Sequence, residues 1–355
     1  MNYRSGHLSS MNSKERFQAA MLGDVPDRIP VFYQHFSAGR HVLNATGLTI
    51  REGFHDPETF ARLCLKGQEL FGFDNIMLGW GDLLTEARAM GSTWRFPEKD
   101  FYPRIDSYAV KDLADVDRLA VVDPMEDEFW SVPLKAGRIV RDKIGTEIAI
   151  VGSTLSPFFV ATELRGYENI MMDALSTPDV VEKMVSVALE SLKLYGERLS
   201  ALGIEEVFID DSGASGALVS EDMCGAFDTK FVKAQVQRYR ALGLRSIIHN
   251  DAQMPYLDLQ AGTGAACLHF NNDLVDLPEV FARYRGKVTL MSGINHQELL
   301  FKHTPAEVED AVRKVIDLYG KEPGLVIAPG CEVPFKSPLE NMVMLRQACE
   351  TYGRL

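Results

Sequence analysis

The sequence has few cysteines, no long apolar run and no cluster of basic residues. Its five cysteines lie far apart, and no two of them form a Cys-x-x-Cys pair. An odd number of isolated cysteines argues against a disulfide framework, so a cysteine with a special role is expected to be a metal ligand or a nucleophile. Because no apolar stretch approaches the roughly 18 residues of a membrane-spanning helix, we expect no membrane partner.

The charge of the chain also limits its expected partners. A formal net charge of -13 argues against nucleic acid and anionic membranes, since no basic patch offsets the acidic surface. Residues 1–16 are polar and lack the apolar segment of a signal peptide, which favours a cytoplasmic location. With 355 residues, 46% of them hydrophobic, the chain is long enough for one large α/β barrel or for two ordinary domains.

Eight short apolar segments, most of them separated by helical patterns, predict an α/β protein. The predicted strands cover residues 27–33, 75–78, 147–151, 205–209, 245–248, 265–270, 287–291 and 325–328. Helices are predicted over 13–22, 57–71 and 178–202 and after Ser220, with capping boxes at Thr304 and Ser337. The aromatic-rich stretch between Asp82 and Glu147 is too long for one crossover and predicts an insertion after the second strand.

Polar side chains follow nearly every predicted strand, whereas the strand starts carry nothing comparable. This asymmetry favours a single (β/α)8 TIM barrel with its active site on the C-terminal rim over a doubly wound open sheet. We expect a flexible N-terminal arm at residues 1–12 and one barrel domain at 13–355. The polar residues that follow strands are His35, Asp82, Ser153, Asp210, Asp211, His249, Asp251, Asn271, Asn295 and Cys331.

Several short motifs, taken in order, carry a resemblance to a known family. They are DRIPV at 27–31, GWGDLL at 79–84, AMG at 89–91, GSTLSPF at 152–158, FIDD at 208–211, LVSEDM at 218–223, PGCEVP at 329–334 and SPLEN at 337–341. With these motifs the chain resembles the uroporphyrinogen decarboxylase superfamily over nearly its whole length. Within that superfamily it is more similar to the cobamide-dependent methyltransferases than to the decarboxylases.

The two branches differ at residues that can be compared one by one. Decarboxylases of this kind carry Arg-Gln-Ala-Gly-Arg after the first strand and a His in the last turn, whereas this chain retains only Arg40 and has Cys331. The methyltransferases bind zinc through a His-x-Cys pair and a Cys in the last Gly-Cys turn. The resemblance therefore implies a zinc site of His249, Asp251 and Cys331, with Asp251 where the middle Cys is expected.

The carboxylate at position 251 favours a particular substrate class. A carboxylate makes zinc a harder and stronger Lewis acid than a thiolate does, which suits the oxygen of a methyl ether or alcohol. We therefore predict an enzyme that moves a methyl group from an oxygen donor, such as a methoxylated aromatic compound, to reduced cobalt. No Asp-x-His-x-x-Gly cobalamin-binding motif is present, so the corrinoid (cobalamin) is expected on a separate partner protein.

Three other functions stay open. One is transfer of the methyl group from methylcobamide to a thiol of the coenzyme M type, and another is a metal-free decarboxylase that uses Asp82 and Arg40. The third is a non-catalytic barrel that stores or accompanies a corrinoid carrier. No pattern in the sequence indicates the oligomeric state, although acidic barrels of this size commonly form homodimers.

The remaining candidate residues have stated roles and simpler alternatives. A proton donor, or a group that orients the zinc ligands, is sought among Tyr33, Asp82, Asp210 and Asp211. Substrate contacts are sought among His35, Arg40, Trp80, Ser153 and Asn271, with the aromatic insertion as a pocket for a ring or simply as lid packing. Asp251 has the alternative of a helix cap, and His269 and His296 that of structural hydrogen bonds.

Overall fold

Seven parallel strands form one curled sheet in the computed structural model, which describes residues 10–34, 39–79, 84–99 and 101–355. Two further strands, β2 and β3 below, form a separate antiparallel hairpin. Within the described residues the strands are β1 (Asn75–Leu78), β2 (Thr93–Arg95), β3 (Arg104–Ser107), β4 (Ala149–Leu155), β5 (Glu206–Asp210), β6 (Arg245–Asn250), β7 (Cys267–Asn271), β8 (Thr289–Ile294) and β9 (Leu325–Pro329).

The seven strands of the main sheet lie side by side in chain order, from β1 through β4 to β9. A doubly wound sheet reverses its strand order partway across. The sequential order therefore excludes the doubly wound alternative.

Helices follow most of the parallel strands and cover the outside of the sheet. They are α1 (Ser13–Leu22), α2 (Arg40–Thr46), α3 (Ile50–His55), α4 (Pro57–Phe71), α5 (Thr85–Ala89), α6 (Ser131–Ile144), α7 (Pro157–Arg165), α8 (Tyr167–Ser176), α9 (Pro178–Ala201), α10 (Glu221–Cys224), α11 (Lys230–Ala241), α12 (Leu257–Gly262), α13 (Leu277–Tyr284), α14 (Leu299–Lys302), α15 (Pro305–Tyr319) and α16 (Leu339–Tyr352). No helix among the described residues is long and apolar enough to cross a membrane.

The predicted first strand, 27–33, is not a regular strand. Only Arg28 and Val31 form isolated bridges, because Pro30 has no N–H to contribute to a ladder. The segment nevertheless bonds both edges of the sheet. The Phe32 N–H donates to the Ile327 carbonyl of β9 at 2.9 Å, and the Asp74 N–H, next to β1, donates to the Val31 carbonyl at 2.9 Å.

Several strands extend beyond their predicted ends, β8 by three residues and β4 and β6 among the others. The third predicted strand, 147–151, is β4, which continues through Gly152 and Ser153. A Cβ at Gly152 would lie 2.4 Å from a Leu199 methyl carbon, so this glycine serves close packing by α9 and does not end the strand. The strand predicted at 245–248 is β6, which includes His249 and Asn250 because its ladder with β7 continues to Phe270.

Alternate residues of the parallel strands point into the curled sheet and form an inner core. This core includes Phe208, Ile247, Cys267 and Met291, and Phe17 of α1 joins it. Because side chains of a strand alternate between its two faces, residues two and four positions further along share this inner face. The inner face of β5, β6 and β7 therefore ends in Asp210, His249 and His269.

The aromatic residues between β1 and β4 pack with one another and against Phe54 of α3. Trp94 of β2 lies 5.4 Å from Phe54 of α3 and 5.0 Å from Phe129, measured between ring centres. Phe96 also packs on Phe54, with ring centres 5.4 Å apart. The sequence left two roles open for the aromatic insertion, a pocket for a substrate ring and lid packing. These ring contacts show packing.

The two predicted capping boxes have different outcomes. At the start of α15, Thr304 and Glu307 exchange side-chain and backbone hydrogen bonds as predicted. At α16 the prediction is wrong, because the extended Pro338 occupies the cap position and no side chain caps the helix. The Ser337 hydroxyl is buried there, and it has no hydrogen-bond partner in the described part of the chain.

Thr304→Ala is therefore expected to lower the free energy of unfolding by about 1 kcal/mol, because the first turn of α15 loses its cap. Ser337→Ala serves as the matched control and is expected to stay within about 0.5 kcal/mol of the wild type. Urea unfolding followed by circular dichroism measures both. Equal losses in the two variants would contradict the assignment of a capping role to Thr304 alone.

Candidate active site

Three side chains of different chemistry meet at the carboxyl ends of the strands. His249 lies in β6, Asp251 follows this strand directly, and Cys331 comes two residues after the end of β9. One nitrogen, one oxygen and one sulfur atom from these residues all lie within 4.8 Å of one another. The Nε2 atom of His249 is 3.9 Å from Oδ1 of Asp251. His249 is buried, whereas the side chain of Asp251 is 30% exposed, so the cluster is open on the aspartate side.

The neighbouring strands hold His249 in this position. Its ring stacks on Phe208 of β5, with ring centres 5.1 Å apart, and its Nδ1 atom lies 3.0 Å from Nδ1 of His269. The other nitrogen of His269, Nε2, lies 2.9 Å from the carbonyl oxygen of Pro329 in β9. The ring of His249 is therefore fixed on one side, and its Nε2 atom is directed towards Asp251.

A glycine shapes the turn that carries Cys331. A Cβ at Gly330 would lie 2.9 to 3.1 Å from atoms of the Asn271 side chain. Any larger residue at 330 would push the end of β7 away from the turn. Gly330 thus allows the thiol to approach the strand ends closely.

The charges in the cluster depend on one another. Burial lowers the pKa of His249, so the imidazole is neutral at physiological pH. Burial, and then the negative charge of Asp251, raise the pKa of the Cys331 thiol well above its usual value. Burial opposes ionisation of Asp251 as well, but interactions with His249, Cys331 and Ser212 hold the pKa of this carboxyl below its usual value. A neutral imidazole, a carboxylate and a protonated thiol therefore face one another.

A serine links Asp251 to a second carboxylate. The hydroxyl of Ser212 lies 2.7 Å from Oδ1 of Asp210 and 3.0 Å from Oδ1 of Asp251. The Ser212 N–H also donates to Oδ1 of Asp210, at 3.0 Å. A hydroxyl has only one proton, so it satisfies one of the two carboxylates at a time.

Asp211, the neighbour of Asp210, lies on the other side of the strand end. Its carboxylate accepts a hydrogen bond from Gln260 at 2.7 Å and faces the carboxyl group of Asp228, which also bonds Ser156. Burial raises the pKa of Asp211 to about 6, and burial together with Asp211 raises that of Asp228 well above its usual value. The pair therefore shares a proton beneath the loops, away from the cluster of His249.

Other predicted site residues have the following positions. Ser153 lies on β4 at the inner face, and its N–H lies 3.4 Å from the hydroxyl of Tyr195. Asn271 ends β7, and its side chain accepts from the Asp273 N–H at 3.1 Å. Arg40 begins α2, and its buried Nε has no hydrogen-bond partner within the described ranges.

Tyr33 lies in the helix-facing core beside the last turn. Its hydroxyl accepts from the Val333 N–H at 3.3 Å, and its ring packs edge-on against Phe71 and Phe73. Burial, and then the charge of Glu332, raise the pKa of this phenol well above its usual value. Three further predicted residues, His35, Trp80 and Asp82, lie outside the described residues.

Sequence reasoning missed several groups near the strand ends. Ser212 directly follows Asp210 and Asp211, which were named as candidates from the sequence. This position was the signal that could have identified it. Glu86 of α5 gave no signal; it is buried, accepts from the Thr154 hydroxyl at 2.9 Å, and burial raises its pKa to about 7. His296, which was named from the sequence with a structural hydrogen bond as the alternative, is 5% exposed, and its Nδ1 has no hydrogen-bond partner among the residues that the structure describes.

A sequential parallel sheet whose polar side chains converge at the carboxyl ends of its strands defines the class of α/β barrel-type enzymes. The family model for uroporphyrinogen decarboxylase (URO-D) matches residues 12–352, so the chain belongs to the URO-D family. The family predicted from the motifs is thereby confirmed.

Named relatives come from both branches of the resemblance. The chain is 21% identical to a methylcobamide:CoM methyltransferase, MtbA, of Methanosarcina mazei, over 97% of this chain and 99% of the relative. It is 25% identical to a uroporphyrinogen decarboxylase of Methylococcus capsulatus, over 88% of this chain and 91% of the relative. Among solved structures, a methyltransferase from Methanosarcina mazei shares the fold with a TM-score of 0.87 and 23% identity, over 96% of this chain and 99% of that structure.

The buried pair of Asp211 and Asp228 predicts a pH-dependent stability. The folded protein retains a proton that the unfolded chain releases above a pH of about 4, so the pair's stabilising contribution is complete below that pH and is lost as pH rises through 6. Asp211→Asn removes the carboxyl group whose pKa lies near 6, so the variant is expected to lose roughly 2 kcal/mol less than the wild type between pH 4.5 and 8.

Urea unfolding across this pH range measures the difference. The exposed Asp222 of α10 provides the control, and Asp222→Asn is expected to follow the wild-type pH profile. Parallel profiles for wild type and Asp211→Asn would contradict the titration of Asp211 near pH 6.

Proposed function

We propose that this protein is a zinc-dependent methyltransferase that moves a methyl group between a small substrate and the cobalt of a corrinoid held by a separate protein. The observation that carries the proposal is the cluster of His249, Asp251 and Cys331 at the carboxyl ends of the strands. The favoured substrate is a methyl–oxygen donor such as a methoxylated aromatic compound. The names of the methyltransferase relatives support the reaction class.

The donor set fits zinc. Imidazole nitrogen, carboxylate oxygen and thiolate sulfur are its usual protein ligands, and three of them leave a fourth position for substrate. The arrangement of Ser212 is a further argument. The Ser212 hydroxyl lies within hydrogen-bond distance of both Asp210 and Asp251, so it orients an Asp251 oxygen at the open side of the cluster.

The chemistry requires help at the leaving oxygen. When bound, zinc supplies Lewis-acid polarisation of a substrate oxygen, and a carboxylate ligand makes it harder than a thiolate would. A methyl group that departs without the bonding electron pair leaves that pair on the oxygen, which must take up a proton. The chain's own residues therefore have to hold the ligands, orient the donor and manage this proton.

Two residues beside the cluster fit these tasks. Asp210, through Ser212, orients the Asp251 carboxylate. His296 interacts electrostatically with Asp251 and His249, and burial lowers its pKa, so it is a neutral imidazole with an open Nδ1 atom within the described ranges. His296 is placed to accept or return a proton at the substrate oxygen.

The proposed architecture is a closed barrel of one domain, residues 13–355. The segment 30–33 takes the place of an eighth strand, because it bonds β1's neighbour Asp74 on one side and β9 on the other. The residues between β1 and β4 form the insertion, and Tyr102 within them donates to the Glu332 carboxylate, next to Cys331, at 2.8 Å. The insertion thus reaches the rim of the site. A corrinoid protein is the proposed partner.

Transfer to a thiol is the second candidate. Its support is the name of relatives that match 97% of the chain, methylcobamide:CoM methyltransferase. The carboxylate of Asp251 argues against transfer to a thiol, because a thiolate substrate is better matched by a softer metal site. The two candidates share the metal and differ in the donor or acceptor.

Metal content tests the shared part. Protein purified without chelator is expected to hold about one zinc per chain, and Cys331→Ala is expected to lose most of it, because two donors bind zinc much more weakly than three. Elemental analysis measures both. Cys349→Ala is the control, because Cys349 is buried in α16 and is not one of the proposed ligands. This variant is expected to keep its zinc. A metal-free wild type after zinc addition would refute the proposal.

The nature of the second ligand tests the substrate class. Asp251→Cys is expected to bind Cd²⁺ more tightly relative to Zn²⁺, and to lose at least about tenfold in demethylation of a methoxylated aromatic compound with a cobalt(I) corrinoid protein. Competition with a chromophoric chelator and the corrinoid spectrum give the two readouts. A wild type that ignores methoxylated compounds but methylates a thiol would reverse the preference between the two candidates.

A further inference from the structure

We infer that His269 is a positioning residue that sets the tautomer of His249 and ties it to the turn carrying Cys331. The inference rests on the proposed metal site and goes beyond its three ligands. It concerns a contact within the chain that exists whether or not metal is bound. Its evidence is a chain of two hydrogen bonds across β6, β7 and β9.

The direction of the first bond follows from its acceptor. The carbonyl oxygen of Pro329 only accepts, so Nε2 of His269, 2.9 Å away, carries the hydrogen. In a neutral imidazole one nitrogen is protonated and the other has a lone pair. Nδ1 of His269 is therefore an acceptor.

The second bond then has one direction only. Nδ1 of His249 lies 3.0 Å from Nδ1 of His269 and must donate to it. A neutral His249 that is protonated on Nδ1 has its lone pair on Nε2. This is the atom that lies 3.9 Å from Asp251, on the side of the proposed metal. The two hydrogen bonds of His269 therefore leave the lone pair of His249 on Nε2, the atom that would bind the metal.

The reverse arrangement is unfavourable. If His249 accepted at Nδ1, His269 would carry hydrogens on both nitrogens and hence a positive charge. His269 is fully buried, with Phe32 and Phe208 packed edge-on at 6.2 and 5.9 Å between ring centres. Burying a positive charge among aromatic rings carries a large desolvation penalty. The observed contacts thus select one tautomer of His249.

The same side chain braces a second ligand. Pro329 is the last residue of β9, two positions before Cys331. By bonding its carbonyl, His269 fixes the distance between β7 and the end of β9, and through Nδ1 it fixes the ring of His249. One buried imidazole therefore couples the positions of two of the three proposed ligands.

Two substitutions separate the parts of this role. In His269→Asn the amide oxygen occupies about the position of Nδ1, which retains the acceptor for His249 and loses the bond to Pro329. In His269→Gln the amide nitrogen reaches about the position of Nε2, which retains the donor to Pro329 and loses the acceptor. His269→Leu removes both. His41→Gln is the control, because its ring Nε2 also bonds a carbonyl, that of Ser337, away from the cluster.

Zinc affinity, measured by chelator competition, is the first readout. His269→Leu is expected to bind zinc roughly 10- to 100-fold more weakly than wild type, as for other partners of metal-ligating histidines. His269→Asn is expected to retain more affinity than His269→Gln, since the acceptor sets the tautomer. A role through side-chain volume alone predicts the opposite order, because Gln is closer to His in size.

Nitrogen-15 NMR of labelled histidine in the metal-free protein is the second readout. In the wild type and in His269→Asn, His249 is expected to be protonated on Nδ1, and in His269→Leu this tautomer signature is expected to be lost or mixed. Thermal melts verify that each variant folds.

The outcomes distinguish this inference from the proposed function. A wild type that binds zinc together with three variants that bind it equally well would overturn the inference and leave the metal site. An Nε2-protonated His249 in the wild type would overturn it directly. A folded wild type that binds no zinc would overturn the metal site itself, and the positioning role with it.

Discussion

The register of the parallel ladder is the constraint on which the candidate site depends. Asp210 pairs with His249, and His249 pairs with His269, so three polar residues from consecutive strands lie at one level. Below this level the same face is apolar, from Phe208 through Ile247 to Cys267. A slip of one residue in any strand would turn its polar residue outward and bury an aliphatic one in its place. The apolar layer therefore fixes the polar layer above it.

The sequence predicted the layout of the site better than the ends of its elements. The strand ends that carry His249 and Cys331 were located because apolar runs stop there on metal-ligating residues, and the order of motifs identified the family. The predicted boundaries were less accurate. The third strand was predicted to end before Gly152, but it continues through this glycine, which packs against Leu199, a residue far away in the sequence. The cap at Ser337 failed for a local reason, because Pro338 itself occupies the cap position. Hydrogen-bond partners such as His269 and Pro329 meet only in the folded chain.

The electrostatics of the cluster determine what binding of the proposed metal would require. His249 is already neutral, so it requires no proton loss to act as a ligand. Cys331 is protonated because burial and Asp251 both disfavour its thiolate. A divalent cation at the proposed site would reverse this balance by stabilising the thiolate, and its binding would release the thiol proton. Without metal the cluster is a thiol beside a carboxylate, and the proposed cation would turn it into a three-donor ligand set.

Neighbouring side chains hold the carboxylate of Asp251 in place. The hydroxyl of Ser212 lies within hydrogen-bond distance of Asp251, and Asp210 holds this serine through both its hydroxyl and its N–H. A sulfur atom at 251 would be a weak acceptor and would leave the Ser212 proton to Asp210 alone. The departure from a His-x-Cys pair thus comes with a serine and an aspartate that orient an oxygen ligand. Because orientation by such partners sets both the affinity and the Lewis acidity of a metal site, Asp251, Ser212 and Asp210 together support the proposed chemistry at oxygen.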